Sequence, residues 1–397
     1  MTLGYSGNIA KIYLYRFLNE FWVIAPILIP YYQSNGLNPT QIFTVQAAYA
    51  LSILFMEIPS GYLADVIGRK RTMMLGSLFL PAGLLIYVGF GSFVPFVIAE
   101  FVVAVANSMR SGADSALLYD SLLMIDQKGR YHHTEGRSFF YARIGCSISA
   151  VLGGLLALIS LRLPFYLNLL SALLILPVVM SLREPEQERL RTGKKPFQDI
   201  LRIFLFSFRH PLMRHLILFC ALITTMGIVG IWSYFLYYTR LGISVGWFGV
   251  LFALFQFLSA AGSRHADGIL RRAGFPRTLM LFGLISINFL LLSLVESPAM
   301  ILVILLNAYL WGSSFPFFLT RMNDLIDSKI RATVLSVANM VRSLLFVILA
   351  PLFGAIVNAR SLSGAYLFLG ILGITSSILF IHRILSHQDL RGTTITF

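Results

Sequence analysis

Arg16 and Glu20 stand four residues apart in an otherwise apolar stretch, so on a helix both point to one side. Tyr13 and Phe17 lie beside them. A second set pairs Arg110 with Asp114, again four apart, with Asn107 one turn earlier. Arg143 and Arg342 stand singly in two further apolar stretches. An ionisable group in lipid is costly, which makes each of these a functional candidate by default. The chemistry such types offer is reversible proton binding. Burial disfavours a carboxylate's charge, and a nearby guanidinium favours it. A carboxylate held between the two can give up its proton on one side of a barrier and regain it on the other. Arrival of a solute would tip the same balance. The plain alternative is that Arg16–Glu20 and Arg110–Asp114 are self-satisfied pairs that neutralise each other.

The elements that position these residues follow from composition. The chain has 397 residues, 57% hydrophobic and 12% charged. Soluble domains carry roughly 25% charged residues, and half that is too little to wet a globule. Lipid is the expected surroundings, and a spanning helix needs about 20 apolar residues. Apolar runs fall at about 9–33, 40–63, 72–91, 93–123, 137–160 and 163–182, then at about 212–239, 245–268, 276–295, 298–321, 330–357 and 362–385. The fold class expected is an all-α membrane protein of about twelve transmembrane helices in two pseudo-symmetric bundles of about six.

The formal net charge of +14 would point to nucleic acid in a soluble protein. Here the basic residues gather on one side of the spans. That side takes Lys11, Arg69, Lys70, Arg71, Lys128, Arg130, Arg137, the bases of 183–214 and 264–277, Arg321, Lys329, Arg331, Arg383 and Arg391. The other keeps Arg162, Arg240 and Arg360. This positive-inside asymmetry predicts a multi-pass protein of the cell (inner) membrane with both termini cytoplasmic, and needs no nucleic-acid partner. No cleavable signal peptide is expected, because the first apolar stretch holds Arg16, Asn19 and Glu20 and is too long for an h-region. Cys146 and Cys220 both fall inside spans.

The domains expected are 1–182, a cytoplasmic linker 183–211, and 212–397. In the linker, Phe197, Ile200, Leu201, Phe204 and Phe208 recur at helical spacing, which predicts an amphipathic helix on the membrane surface. Internal repetition is weak but placed consistently. The loop Gly61 to Arg71 is echoed by Ala266-Asp267 to Arg272.

Gly61, Leu63, Ala64, Asp65, Gly68, Arg69 and Lys70 closely resemble the loop 2–3 signature of the major facilitator superfamily, G-x-L-A-D-R-x-G-R-K. Val66 departs from it. The resemblance implies alternating access, with this loop as a cytoplasmic latch to which Glu57 could contribute. It implies a cavity built from spans 1, 4, 7 and 10 and walled by 2, 5, 8 and 11. The substrate-binding candidates are then Arg16, Tyr13, Asn107, Arg110, Arg143, Trp232, Tyr234, Gln256, Trp311, Phe315, Asn339 and Arg342. Arg110 resembles the span-4 arginine of proton-driven members, which makes Glu20, Asp114 and Arg110 the proton-coupling candidates. Arg143 and Arg342 would otherwise brace the bundles.

No nucleotide-binding G-x-x-x-x-G-K-S/T loop and no H-E-x-x-H or G-x-S-x-G motif occurs, so no cofactor, metal or catalytic residue is expected. His132-His133 beside Glu135 reads as a polar loop. The glycines Gly145, Gly153 and Gly154 partly resemble the span-5 signature of antiporters, without its proline. The function expected is a monomeric, proton-coupled secondary transporter of a small organic solute, with export by antiport favoured. Uptake of an anionic metabolite is the alternative, favoured by the arginines; a receptor on the same fold is a remote one.

Overall fold

Lipid offers a backbone no hydrogen-bond partner but itself, so apolar stretches of this length close into helices. The structure is a computed structural model that describes residues 3–185, 208–326 and 331–386. Its helices are α1 (Leu3–Asn19), α2 (Leu28–Ser34), α3 (Pro39–Ile67), α4 (Arg69–Gly89), α5 (Phe93–Arg110), α6 (Ala113–Met124), α7 (Tyr131–Ala157), α8 (Leu163–Ser181), α9 (Pro211–Arg240), α10 (Val245–Leu294), α11 (Met300–Leu325), α12 (Arg331–Ala359) and α13 (Leu362–Ser386). Among the described residues, 10 helices are long and apolar enough to cross a membrane. The amphipathic helix expected in the linker falls almost wholly outside the described residues.

Two apolar stretches are more broken than their hydropathy implies, and two expected as separate run on as one element. The first is not one rod. Helix α1 ends at Asn19, and a short 3-10 turn, Ala25–Ile27, leads into α2. The fourth is interrupted between α5 and α6 at Gly112, whose φ is +78°. The 50-residue α10 is broken at Gly274, where φ is 74° and ψ 168°. Helix α7 starts earlier than expected and takes in His132, His133 and Glu135, so that stretch is not a loop.

The chain divides into two compact units. Unit 1 comprises Met1–Leu37, Ala48–Gly193 and Ile243–Ala253; unit 2 comprises Asn38–Ala47, Lys194–Gly242 and Leu254–Phe397. Neither unit is one contiguous stretch.

Each unit has an aromatic core. In unit 1, Tyr31 lies 4.1 Å from Phe165 between ring centroids, and Tyr87 stacks on Phe96 at 5.4 Å. In unit 2, Phe219, Phe282, Phe317 and Phe318 pack edge to face around one point, as aromatic quadrupoles favour. Large apolar side chains also point outward; Ile159 and Leu294 are each 77% exposed. Water would penalise such a surface and lipid does not.

Glycines set how closely α7 can approach the break in the first stretch. A Cβ on Gly145 would come within 3.2 Å of the Phe17 carbonyl carbon, and one on Gly153 within 3.1 Å of that of Val23. Both neighbours are backbone and cannot give. Gly145→Val should therefore destabilise by about 1–3 kcal/mol, read as a lower melting temperature in detergent. A melting curve unchanged from wild type would show that the contact does not matter.

Candidate functional site

The charged residues do not pair along their own helices. Arg16 lies near the end of α1 and is 8% exposed. Its Nε meets Asp114 Oδ2 of α6 at 2.7 Å, and its Nη2 meets Glu135 Oε1 of α7 at 3.1 Å. Ser115 ties the three together. It accepts from Arg16 at 2.6 Å and donates to Glu135 at 2.7 Å, and its backbone N–H donates to Asp114 Oδ1 at 2.8 Å. Phe139 lies 5.0 Å under the guanidinium, a cation–π contact. One buried cation thus serves two carboxylates.

Glu20 follows the end of α1, in the unwound stretch. Its carboxylate is 3.7 Å from Arg143 of α7, with side chains 35% and 50% exposed. In place of the local pairs Arg16–Glu20 and Arg110–Asp114, Arg16 pairs with Asp114 and Glu20 with Arg143. A helical i,i+4 pair is worth only a few tenths of a kcal/mol, so a better-placed partner on a neighbouring helix wins.

Arg110 is 2% exposed. It donates to the Ala106 carbonyl at 3.1 Å and to Asn107 Oδ1 at 2.5 Å, and Asn107 donates to the Tyr49 hydroxyl at 3.0 Å. Tyr13 stacks on Tyr141 at 5.1 Å, with Arg137 5.7 Å from its ring.

In unit 2 the candidates separate. Tyr234 is 2% exposed, and its hydroxyl accepts from Asn288 and Asn307, each at 3.0 Å. It stands as a core residue and not as a lining one. Tyr234→Phe leaves two buried amide donors short of an acceptor. A loss of about 1–3 kcal/mol in detergent melts should follow, with solute affinity unchanged; a shifted affinity would return Tyr234 to the lining. Trp311 is half-buried and donates to the Thr224 carbonyl at 3.2 Å. Phe315 is exposed, and Trp232, Gln256, Asn339 and Arg342 are partly exposed. The Arg342 carbonyl accepts from Thr225 at 3.1 Å.

The loop signature is held by residues that the sequence reading passed over. Gly68 has φ +101°, a conformation glycine adopts freely and other residues avoid. It turns the chain into α4, whose second residue, Lys70, donates its backbone N–H to Glu184 at 3.1 Å. The carboxylate thereby meets the positive end of the helix dipole. Arg69 pairs with Asp120 of α6 and donates to the Ala116 carbonyl at 2.6 Å. Asn8 clamps the segment after α8: it donates to the Arg183 carbonyl at 2.8 Å and accepts from its N–H at 2.9 Å. Gly61 and Asp65 are exposed on α3, and Glu57 lies two turns before Asp65 on the same helix.

The sequence matches the Major Facilitator Superfamily over residues 17–350. The chain belongs to this superfamily. It is a multi-pass membrane transporter and not an enzyme. Among its relatives is an uncharacterised MFS-type transporter of Methanocaldococcus jannaschii, 26% identical over 289 residues, 71% of this chain and 72% of that protein. The quinolone resistance protein NorA of Staphylococcus aureus is 25% identical over 249 residues, 59% of this chain and 62% of NorA. Among solved structures, the nucleoside transporter NupG superposes with a TM-score of 0.78 at 13% identity, covering 96% of this chain and 98% of that one. A POT family transporter in complex with a thioalcohol-conjugated peptide gives 0.74 at 13%, covering 97% and 96%. At these identities the superpositions establish the fold. Transporters of this superfamily move small solutes by alternating access.

Proposed function

We propose that this chain is a proton-coupled exporter of small amphiphilic organic solutes, working by antiport across the cell (inner) membrane with both termini in the cytoplasm. It acts as a monomer of about twelve spans in two bundles, once α10 is counted as two spans at Gly274, and α1 with α2 and α5 with α6 as one each. In sequence the two bundles would be 1–182 and 212–397, joined by 183–211, with 38–47 and 243–253 each packing with the other unit. The observation that carries the reading is the Glu20–Arg143 pair. It lies at the break of the first spanning stretch, partly exposed, 3.7 Å between charges. Transporters place their sites at such discontinuous helices.

The mechanism is electrostatic competition. With Glu20 ionised, Arg143 is satisfied and the pair is closed to other partners. A proton on Glu20 releases Arg143 and removes one negative charge from the site. A solute that approaches either group shifts the proton off or on, which links the two cargoes. The Arg16–Asp114–Glu135 cluster and Arg110 with Asn107 hold the surrounding helices. Within unit 2, Trp311, Phe315, Trp232, Gln256, Asn339 and Arg342 are the candidates for solute contact. The signature loop, with Glu57, Gly61, Asp65, Gly68, Arg69 and Lys70, would act as the cytoplasmic latch. The likeness to a quinolone resistance protein favours export and an amphiphilic cargo.

The test uses purified protein in proteoliposomes, with norfloxacin as the probe quinolone alongside a panel of amphiphilic solutes. An acidic lumen should accelerate solute uptake several-fold, because protons leaving drive solute in. Uptake indifferent to the gradient across the whole panel would remove the coupling. Acceleration by an alkaline lumen instead would make the protein a symporter.

A further inference from the structure

Glu100 lies in the middle of α5, in the apolar run Phe96 to Val105, and is 6% exposed. It faces the Tyr32 hydroxyl, which donates to Glu100 Oε1 at 3.1 Å, and Tyr32 in turn shares a 2.7 Å hydrogen bond with the Tyr87 hydroxyl. Tyr32 and Tyr87 are 0% and 1% exposed. Phe96 closes the cage, 5.1 Å from the Tyr32 ring and 5.4 Å from that of Tyr87. The titratable and charged groups facing this region are Tyr31 and Tyr32 from α2, Tyr49 from α3, Tyr87 from α4 and, further along its own helix, Arg110. Helix α8 contributes Phe165, 5.5 Å from the Tyr87 ring.

We propose that Glu100 is a second proton-binding site, distinct from the Arg16 cluster. The assignment rests on the proton-coupled reading above. Its chemistry is a bare proton transfer: the carboxylate takes up a proton and later returns it, with no other bond made or broken. Tyrosine hydroxyls suit both states, because each can donate to a carboxylate and accept from a carboxylic acid. A cage of guanidinium groups, which only donate, would serve the ionised state alone. The position also suits a relay. Glu100, Asn107 and Arg110 recur at helical spacing along α5, and Arg110 lies about 15 Å further along the helix axis. Between them Tyr49, Asn107 and Arg110 form a hydrogen-bonded chain, which leads toward Asp114 and its shared arginine. The structural alternative is that Glu100 only braces three helices through the tyrosines, in a fixed protonation state.

Two measurements separate these. Dicyclohexylcarbodiimide modifies protonated carboxyl groups in apolar surroundings. In wild-type proteoliposomes, mass-spectrometric mapping should find Glu100 labelled at low pH, with labelling falling about tenfold per pH unit above its midpoint. No labelling, or labelling independent of pH, overturns the proposal without any need for a solute or a folded variant. The second measurement is Glu100→Gln in the norfloxacin assay. Gln keeps the size and most of the hydrogen bonding, so solute exchange without a gradient should persist while acceleration by the gradient is lost. Acceleration kept at the wild-type level overturns the role for Glu100 and leaves the coupled reading standing. A wild type that shows no acceleration removes the coupling itself.

Discussion

Arg16→Ala should lower the stability of the folded protein by about 3–5 kcal/mol, because it strips the counter-charge from the buried Asp114 and the half-buried Glu135 at once. Asp114 and Glu135 would face each other across the space the guanidinium filled, with Ser115 unable to neutralise either. The direct reading is a large fall in melting temperature in detergent and a poor yield of monodisperse protein. Arg16→Lys should recover only part of the loss, since an ammonium cannot reach both carboxylates as the planar fork does. Combining Arg16→Ala with Asp114→Asn should recover more than either change predicts alone, which a double-mutant cycle would measure. Additive losses would mean that the three charges do not act as one unit.

The other large effect is functional. Glu20→Gln should abolish acceleration of solute uptake by a pH gradient while leaving the protein folded, because Glu20 is partly exposed and its removal orphans no buried group. Exchange of solute for solute should continue. Arg143 loses its partner in this variant, so anionic solutes should bind more tightly and cationic ones less. Gradient-driven uptake at the wild-type rate would exclude Glu20 as the proton carrier and shift attention to Asp114, Glu135 and Glu100.

Much of the helical frame could be read from the sequence, because length and apolarity dictate it. The edges of α8, α9 and α13 lie within a few residues of the apolar runs. The pairings were hidden. Spacing of four identifies neighbours on one helix, yet Arg16 reached past Glu20 to α6 and α7, and Arg69 to α6. Which helices touch is a tertiary property that no window of one helix contains. Glu135 was masked by its setting beside two histidines, which suggested a loop, and Glu100 by the apolar run around it. Tyr234 misled for a related reason. An aromatic in a cavity-lining helix can face the cavity or the core, and its two asparagine partners lie on other helices.

The Arg16 cluster also bears on how the chain is made. Ser115 and Glu135 come 99 and 119 residues after Arg16 in the sequence. At about 5–20 residues per second, α1 waits several seconds or more for its counter-charges to be synthesised. Over that interval its charge has no acid from α6 or α7 to meet. The first helix should therefore settle late, reaching its final depth only after α6 and α7 have emerged. Ribosome-arrested chains that stop before Asp114 should hold α1 shallow in the bilayer or associated with the insertion machinery.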